Sequence, residues 1–517
     1  MAITIPRWPC SARPGEGRHG AITDRRGSGA LPGGPGLRGA RSSANACPAR
    51  RLRGAAMADA LDPVLNDIDR DLDNSLERLF AWLRIPSIST DSAYAGHCRE
   101  AAHWLEGNLT ALGFETSVEE TSLHPVVLAH RPKPGAPHVL FYGHYDVQPV
   151  DPENLWKTPP FEPRIDETGD TKKIVARGAS DDKGQVMTFV EACRAHLAMN
   201  GDLPVGVTIL IEGAEENGSQ GLPEWVEANR ERLKADVVLV CDTGMWDRQT
   251  PQITTSLRGL AYYEVKVTCA DRDLHSGFFG GAAANPIHVL SRIIADLHDA
   301  DGRVTLPGFY DGVREPPPEL LEQWRGLGLT PEKFLGPIGL KEPAGERGRL
   351  PIELIQSRPA CDVNGIIGGY TGEGTKTVIA SQASAKVSFR LVDDQDPEQL
   401  SKTFEAFVRE RIPADCSVEV ICYKGSRAVA LPYDMPQLAA AQAALAAEWG
   451  RPAVAVGAGG SIPIVGDFKR ILGLDTLLIG FGLDDDRIHS PNEKYELTSF
   501  HKGTRSWARI LSALAQA

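Results

Sequence analysis

The sequence predicts an α/β fold: a mainly parallel sheet sandwiched by helices, with an α+β domain inserted into it. Three observations carry this. The strand-length stretches 139–142, 207–211 and 236–240 are mostly apolar and lack the polar alternation of half-exposed strands, as strands covered on both faces require. Stretches of helical period lie between such runs, and strands alternating with helices wind into parallel sheets. From about residue 253 the texture changes to alternating strands, and α/β character returns near Met435.

Along the chain, Leu65, Ile68, Leu72, Leu76, Leu79 and Phe80 recur near helical spacing over 62–82, and Pro86 stops that helix. A second helix is expected over 99–112, with Gly113 as its C-terminal cap. Strands follow at 126–129 and from His138, then a Pro-rich loop over 149–163 and a short strand at 173–177. A helix over 184–199 buries Val186, Met187, Phe189, Val190 and Cys193. In the inserted part, Tyr263, Val265 and Val267 alternate with Glu264, Lys266 and Thr268 over 261–269, which suits an antiparallel strand with one wet face. A helix at 285–298, strands at 377–380 and 385–392, a helix at 397–411 and a strand at 417–423 complete it. An Ala-rich helix from about 435, a strand at 476–479 and a last helix from Ser499 rejoin the first part. The expected division is 57–252, 253–430 and 431–517.

The chain has 517 residues, 42% hydrophobic and 24% charged, with a net charge of -13. That length and balance suit a globular protein with a large core. The negative charge argues against nucleic acid as a partner. With no long uncharged apolar run, no membrane span is expected. Nine cysteines stand singly with no CxxC pair, which reads as reduced thiols in a cytoplasmic protein rather than a disulfide framework. Residues 1–56 hold ten Arg, no Lys and two acidic residues, without hydrophobic period. They read as a disordered leader, either an organelle transit segment or sequence ahead of a true start at Met57.

Five sites bearing carboxylate or imidazole fall at expected strand ends or in adjoining loops: His144 with Asp146, Asp181 with Asp182, Glu215 with Glu216, Asp242, and His489. Each has an ordinary reading. Asp181-Asp182 could cap a helix, Glu215-Glu216 could be a solvated loop pair, Asp242 could close a turn, and His489 could be a surface histidine. Together they say more. Strands of one parallel sheet end at one edge, where α/β sheets bind ligands. Carboxylates gathered there repel and resist ionisation unless cations are present. Mixed imidazole and carboxylate donors suit Zn²⁺, with Mn²⁺ or Co²⁺ possible. There is no GxSxG elbow for a serine nucleophile. A non-catalytic protein that only binds metal or ligand is a rival reading.

The stretches GHYDVQP (143–149), RGASDDKG (177–184), EGAEENGS (212–219), CDT (241–243), RDLHSG (272–277), TGEGTKTVIA (371–380), FRLV (389–392), GGSIP (459–463) and HSPNEKY (489–495) are similar, in order, to those of a known family. It is the dinuclear-zinc peptidase family of carnosine dipeptidase, cytosolic non-specific dipeptidase, the aminoacylases, glutamate carboxypeptidase and succinyl-diaminopimelate desuccinylase. The dipeptidase branch is the most similar.

The resemblance implies a zinc-peptidase-like catalytic domain with a lid and dimerisation domain inserted, hence a homodimer. It implies hydrolysis of a peptide bond in a dipeptide or small peptide by a water activated between two zinc ions. His144 and Asp242 would hold one ion, Glu216 and His489 the other, and Asp181 would bridge them through a residue whose bond to Asp182 is cis. Glu215 would be the general base, and Asp146 would orient His144. His275 would polarise the scissile carbonyl in the partner subunit's site. Arg390, Thr377 and Ser461 would bind substrate, Arg390 by its carboxylate. Two departures stand out: Gly457-Ala458 replaces an Arg-Glu pair before GGSIP, and no lid histidine follows FRLV. Carnosine is therefore not the expected substrate, and the same chemistry on an N-acyl amino acid is the alternative.

Overall fold

The computed structural model describes residues 61–458 and 462–517, so the expected leader and Ser461 lie outside the described residues. The strand His138–His144 sits inside a nine-stranded sheet, paired in parallel with Gly206–Glu212 on one side and Val237–Val240 on the other. Thr476–Leu478 continues the parallel run beyond Val237–Val240. The flanks are antiparallel: Val126–Arg131 and then Glu115–Glu119 on one side, Gln252–Leu257 with Val429–Ala430 on the other. Val454–Ala458 adds a parallel edge strand to Gln252–Leu257. The fold is thus α/β with a parallel centre.

Successive side chains of a strand point to opposite faces, so the uninterrupted apolar run feeds two cores. Val139 and Phe141 pack into one cluster, Leu140 and Tyr142 into the other. Val237 and Leu239 divide from Val238 and Val240 in the same way. Phe141 stacks on Phe189 of the helix Lys183–Asn200 at 3.7 Å between ring centroids and meets the edge of Trp507 from the helix Leu497–Leu514. Truncating such a ring to alanine costs about 3–5 kcal/mol.

A separate four-stranded antiparallel sheet runs Ala360–Gly368, Gln382–Leu391, Gly259–Thr268, Ser417–Ser426. The helices Pro286–Ala295 and Pro397–Arg409 share its apolar core through Val289, Leu290, Ile293, Phe404 and Phe407. Residues 253–257 and 429–430, expected in the inserted part, belong instead to strands of the large sheet. The Thr- and Ser-rich stretch 253–257 carries none of the apolar signal of the central strands, and Val429-Ala430 is too short to show a pattern.

Other elements also differ from expectation. The first helix is interrupted at Asp71, whose backbone is non-helical and whose carboxylate engages Arg78 and Asn74. The second begins at Ala95 rather than 99. Glu115–Glu119 was not expected as a strand because a half-exposed edge strand of polar residues has no apolar run to mark it. The reading of every cysteine as a thiol is corrected by Cys269 and Cys416, which form a disulfide. Thr268 faces Ser417 across two antiparallel strands, so the two cysteines one step outward are also opposite, with Cα atoms 4.2 Å apart. Cys98, Cys193, Cys241 and Cys361 are buried thiols. No helix among the described residues is long and apolar enough to cross a membrane.

Candidate metal centre

The centre lies where the parallel strands end. His144 closes the central strand, Asp242 stands two residues past Val237–Val240, and Glu215 and Glu216 open a short turn just after Gly206–Glu212. Asp181 precedes the helix Lys183–Asn200, and His489 stands on the loop before the strand Lys494–Glu496. The bond between Asp181 and Asp182 is cis. Gly143 permits this crowding: a Cβ there would lie 2.7 Å from Asp182 Oδ2 and 2.6 Å from Val186.

Two groups of donor atoms result, His144 with Asp181 and Asp242, and Asp181 with Glu216 and His489, each within 4.8 Å. Asp181 belongs to both. Its Oδ1 is 3.1 Å from His144 Nε2 and its Oδ2 is 3.0 Å from His489 Nε2. Glu216 Oε2 is 3.2 Å from His489 Nε2 and accepts a 2.7 Å hydrogen bond from Gln148 Nε2.

Asp146 is buried behind these residues. Its carboxylate accepts the backbone N–H groups of Glu215 at 3.2 Å and Glu216 at 3.1 Å, and its Oδ1 is 3.4 Å from His144 Nδ1. His144 Nδ1 also lies 3.0 Å from the Asp146 carbonyl, which directs the ring's other nitrogen, Nε2, at Asp181. Asp182 points away from the donor groups, accepting the His144 N–H at 3.2 Å and the Cys241 thiol at 3.3 Å.

The donor set fits divalent cations. Burial opposes a charged His144, but hydrogen bonds to Asp146 and Asp181 hold its pKa well above the ordinary histidine value. The hydrogen bonds of His489 to Asp181 and Glu216 push it up to about 10. Burial, then the charges of Asp181 and Asp182, keep the Asp242 carboxyl well above the ordinary range. Burial also raises Glu215, with Glu216, Asp146 and Asp181 adding to it. Buried acids and imidazoles crowded in this way are a donor set that suits divalent cations.

His275, Thr377 and Arg390 stand on the inserted part and belong to neither donor group, and Ser461 lies outside the described residues. His275 is exposed, and its ring accepts the Gly277 N–H at 3.0 Å. Thr377 is exposed, next to the strand pair that joins His275 to Val378. Arg390 lies in Gln382–Leu391, half-buried, and its guanidinium makes no hydrogen bond or ion pair among the described residues. Sequence reasoning passed over Glu493 and Gln148, although both lie inside the quoted motifs, because an acid or amide in a loop has no signature of what it will hold.

The fold and this donor set define a metallopeptidase, and the chain belongs to peptidase family M20/M25/M40, whose model matches residues 140–513. It is similar to the Cys-Gly metallodipeptidase dug1 of Schizosaccharomyces pombe, 31% identical over 89% of this chain and 99% of that protein. The human Beta-Ala-His dipeptidase is 32% identical over 76% of this chain and 78% of its own length. Among solved structures, the M20 family metallo-carboxypeptidase Sso-CP2 from Sulfolobus solfataricus superposes with a TM-score of 0.69 at 32% identity. That match covers 86% of this chain and 99% of the other.

Proposed function

We infer that the chain is a metal-dependent dipeptidase, and propose that it holds two Zn²⁺ ions, with Mn²⁺ or Co²⁺ as substitutes. The observation that carries the reading is the shared position of Asp181, one carboxylate facing two separate donor groups, with Glu215 beside them and in neither. His144 and Asp242 would hold one ion, Glu216 and His489 the other, and Asp181 both. When bound, the ions supply charge that polarises the scissile carbonyl and lowers the pKa of a water.

The chain's own residues supply the rest. Glu215, raised by its surroundings, accepts the proton of the attacking water and returns it to the leaving amine. Asp146 keeps His144 and the Glu215-Glu216 turn in place. Arg390 offers a planar fork to the substrate carboxylate, with Thr377 and Ser461 as further substrate contacts. Residues 259–426 would act as a lid. Exposed Phe278, Ile366, Ile367 and Tyr370 on that part favour a homodimer through it, in which His275 serves the site of the partner subunit. The four buried thiols favour a cytoplasmic location.

A second reading, hydrolysis of N-acyl amino acids by the same residues, is favoured by the uncharged Gly457-Ala458 pair at the end of the edge strand, which offers no charge to a free amino group. Assaying free dipeptides beside N-acetyl amino acids, on metal-free and zinc-restored protein, tests both. Zinc-restored cleavage of dipeptides alone supports the first reading, and cleavage of the N-acetyl compounds alone replaces it with the second.

A further inference from the structure

We propose that Glu493 is a positioning residue for the metal centre, holding the loop that carries Asp181 in register with the loop that carries His489. The inference rests on the metal site proposed above. Glu493 is 0% exposed. Its Oε1 accepts the N–H groups of Ser180 at 2.9 Å and Asp181 at 3.1 Å. Its Oε2 accepts Arg177 Nη1 at 2.8 Å and the Gly178 N–H at 3.1 Å. Four donors from residues 177–181 therefore converge on one carboxylate, and one of them is the backbone of Asp181 itself.

The other end of this link is His489, four residues earlier on the same loop. Arg487, His489 and Asn492 have φ of 59°, 61° and 64°, a left-handed conformation unfavourable for side chains with a Cβ. Such a loop keeps its shape only when contacts from outside hold it. Glu493 supplies them at one end. Asp486 supplies them at the other, accepting Ser180 Oγ at 2.9 Å and Lys494 Nζ at 2.6 Å. The 3.0 Å approach of His489 to Asp181 is therefore fixed by acids that touch neither imidazole nor ligand oxygen.

The chemistry requires two oxygens. A glutamine at 493 would turn an NH₂ toward two donors in either orientation of its amide. The test uses the full chain with Glu493→Gln, and Glu346→Gln as a control. Glu346 is also buried and bound by arginine, accepting Arg358 Nε at 2.8 Å, but in the inserted part. Zn²⁺ affinity is measured by chelator competition, and the visible absorption of the Co²⁺-loaded protein reports ligand geometry. The expected result is a loss of about 10- to 100-fold in Zn²⁺ affinity and altered Co²⁺ bands for Glu493→Gln, with both unchanged for Glu346→Gln. Unchanged affinity and bands in Glu493→Gln would overturn the inference, as would an equal change in the control. Should Glu493→Gln not fold, Glu493→Asp carries the test: weakened Zn²⁺ binding supports positioning, and unaltered binding overturns it. A wild-type chain that binds neither ion overturns the metal site and this inference together.

Discussion

His489 Nε2 lies 3.0 Å from Asp181 Oδ2, although 308 residues separate them in the chain. Residues so far apart in sequence stay in contact only where the fold holds both of their loops. Here Glu493 and Asp486 tie the loop of His489 to the loop of Asp181. A divalent cation would add charge that offsets the clustered carboxylates. Zn²⁺ should therefore raise the melting temperature of chelator-treated protein, by the equivalent of about 2.7 kcal/mol when free metal is a hundredfold above its Kd. Differential scanning calorimetry with and without metal measures this, and an unchanged transition would contradict a metal site at Asp181.

Glu215 stands beside the ligands without being among them. Glu215→Gln should keep the wild-type metal content while turnover falls by about 100- to 10,000-fold. Metal analysis alongside kcat separates the two effects. Retained turnover would remove Glu215 from proton transfer.

Asp146 has a different task. One buried carboxylate fixes both the His144 ring and the turn carrying Glu215 and Glu216. Asp146→Asn leaves at most one oxygen for these donors, so metal affinity should fall by about 10- to 100-fold, with turnover falling in step. A variant that loses turnover at full metal occupancy would show that Asp146 acts on the reaction and not on His144.

His196, near the C-terminal end of the helix Lys183–Asn200, gives a test of stability against pH. Its Nε2 lies 3.0 Å from the Ala508 carbonyl, while Nδ1 is buried without a partner. Burial lowers its pKa below the ordinary 6.5. As pH falls, the unfolded chain takes up this proton first. The contribution of His196 is complete above about pH 6.5 and is lost as pH drops through the folded value. His196→Gln should show a shallower loss of stability than wild type between about pH 7 and about pH 5, read from urea melts across that range. Parallel curves would exclude His196 as the cause.

Much of this architecture is legible in the residues. Val139 to Tyr142 must be covered on both faces, and the structure divides them between two cores. His144, Asp181, Glu216, Asp242 and His489 can be seen as strand-end and loop groups, because a parallel sheet gathers its strand ends whatever the sequence distance. The edges are less legible. Gln252–Leu257 is a strand through its neighbours, and its own composition does not announce it. The Cys269–Cys416 pair depends on strand register, which the cysteine spacing does not encode. Glu493 is hidden for the same reason: its four donors lie more than 300 residues away.

The converged donors are proposed to hold catalytic metal. The most direct measurement is the hydrolysis of a free dipeptide by one preparation as purified, after chelation, and after zinc is restored, with metal counted each time. About two ions per chain, activity lost on chelation and activity regained with zinc are the predicted result. Full activity in protein stripped of metal would contradict the account.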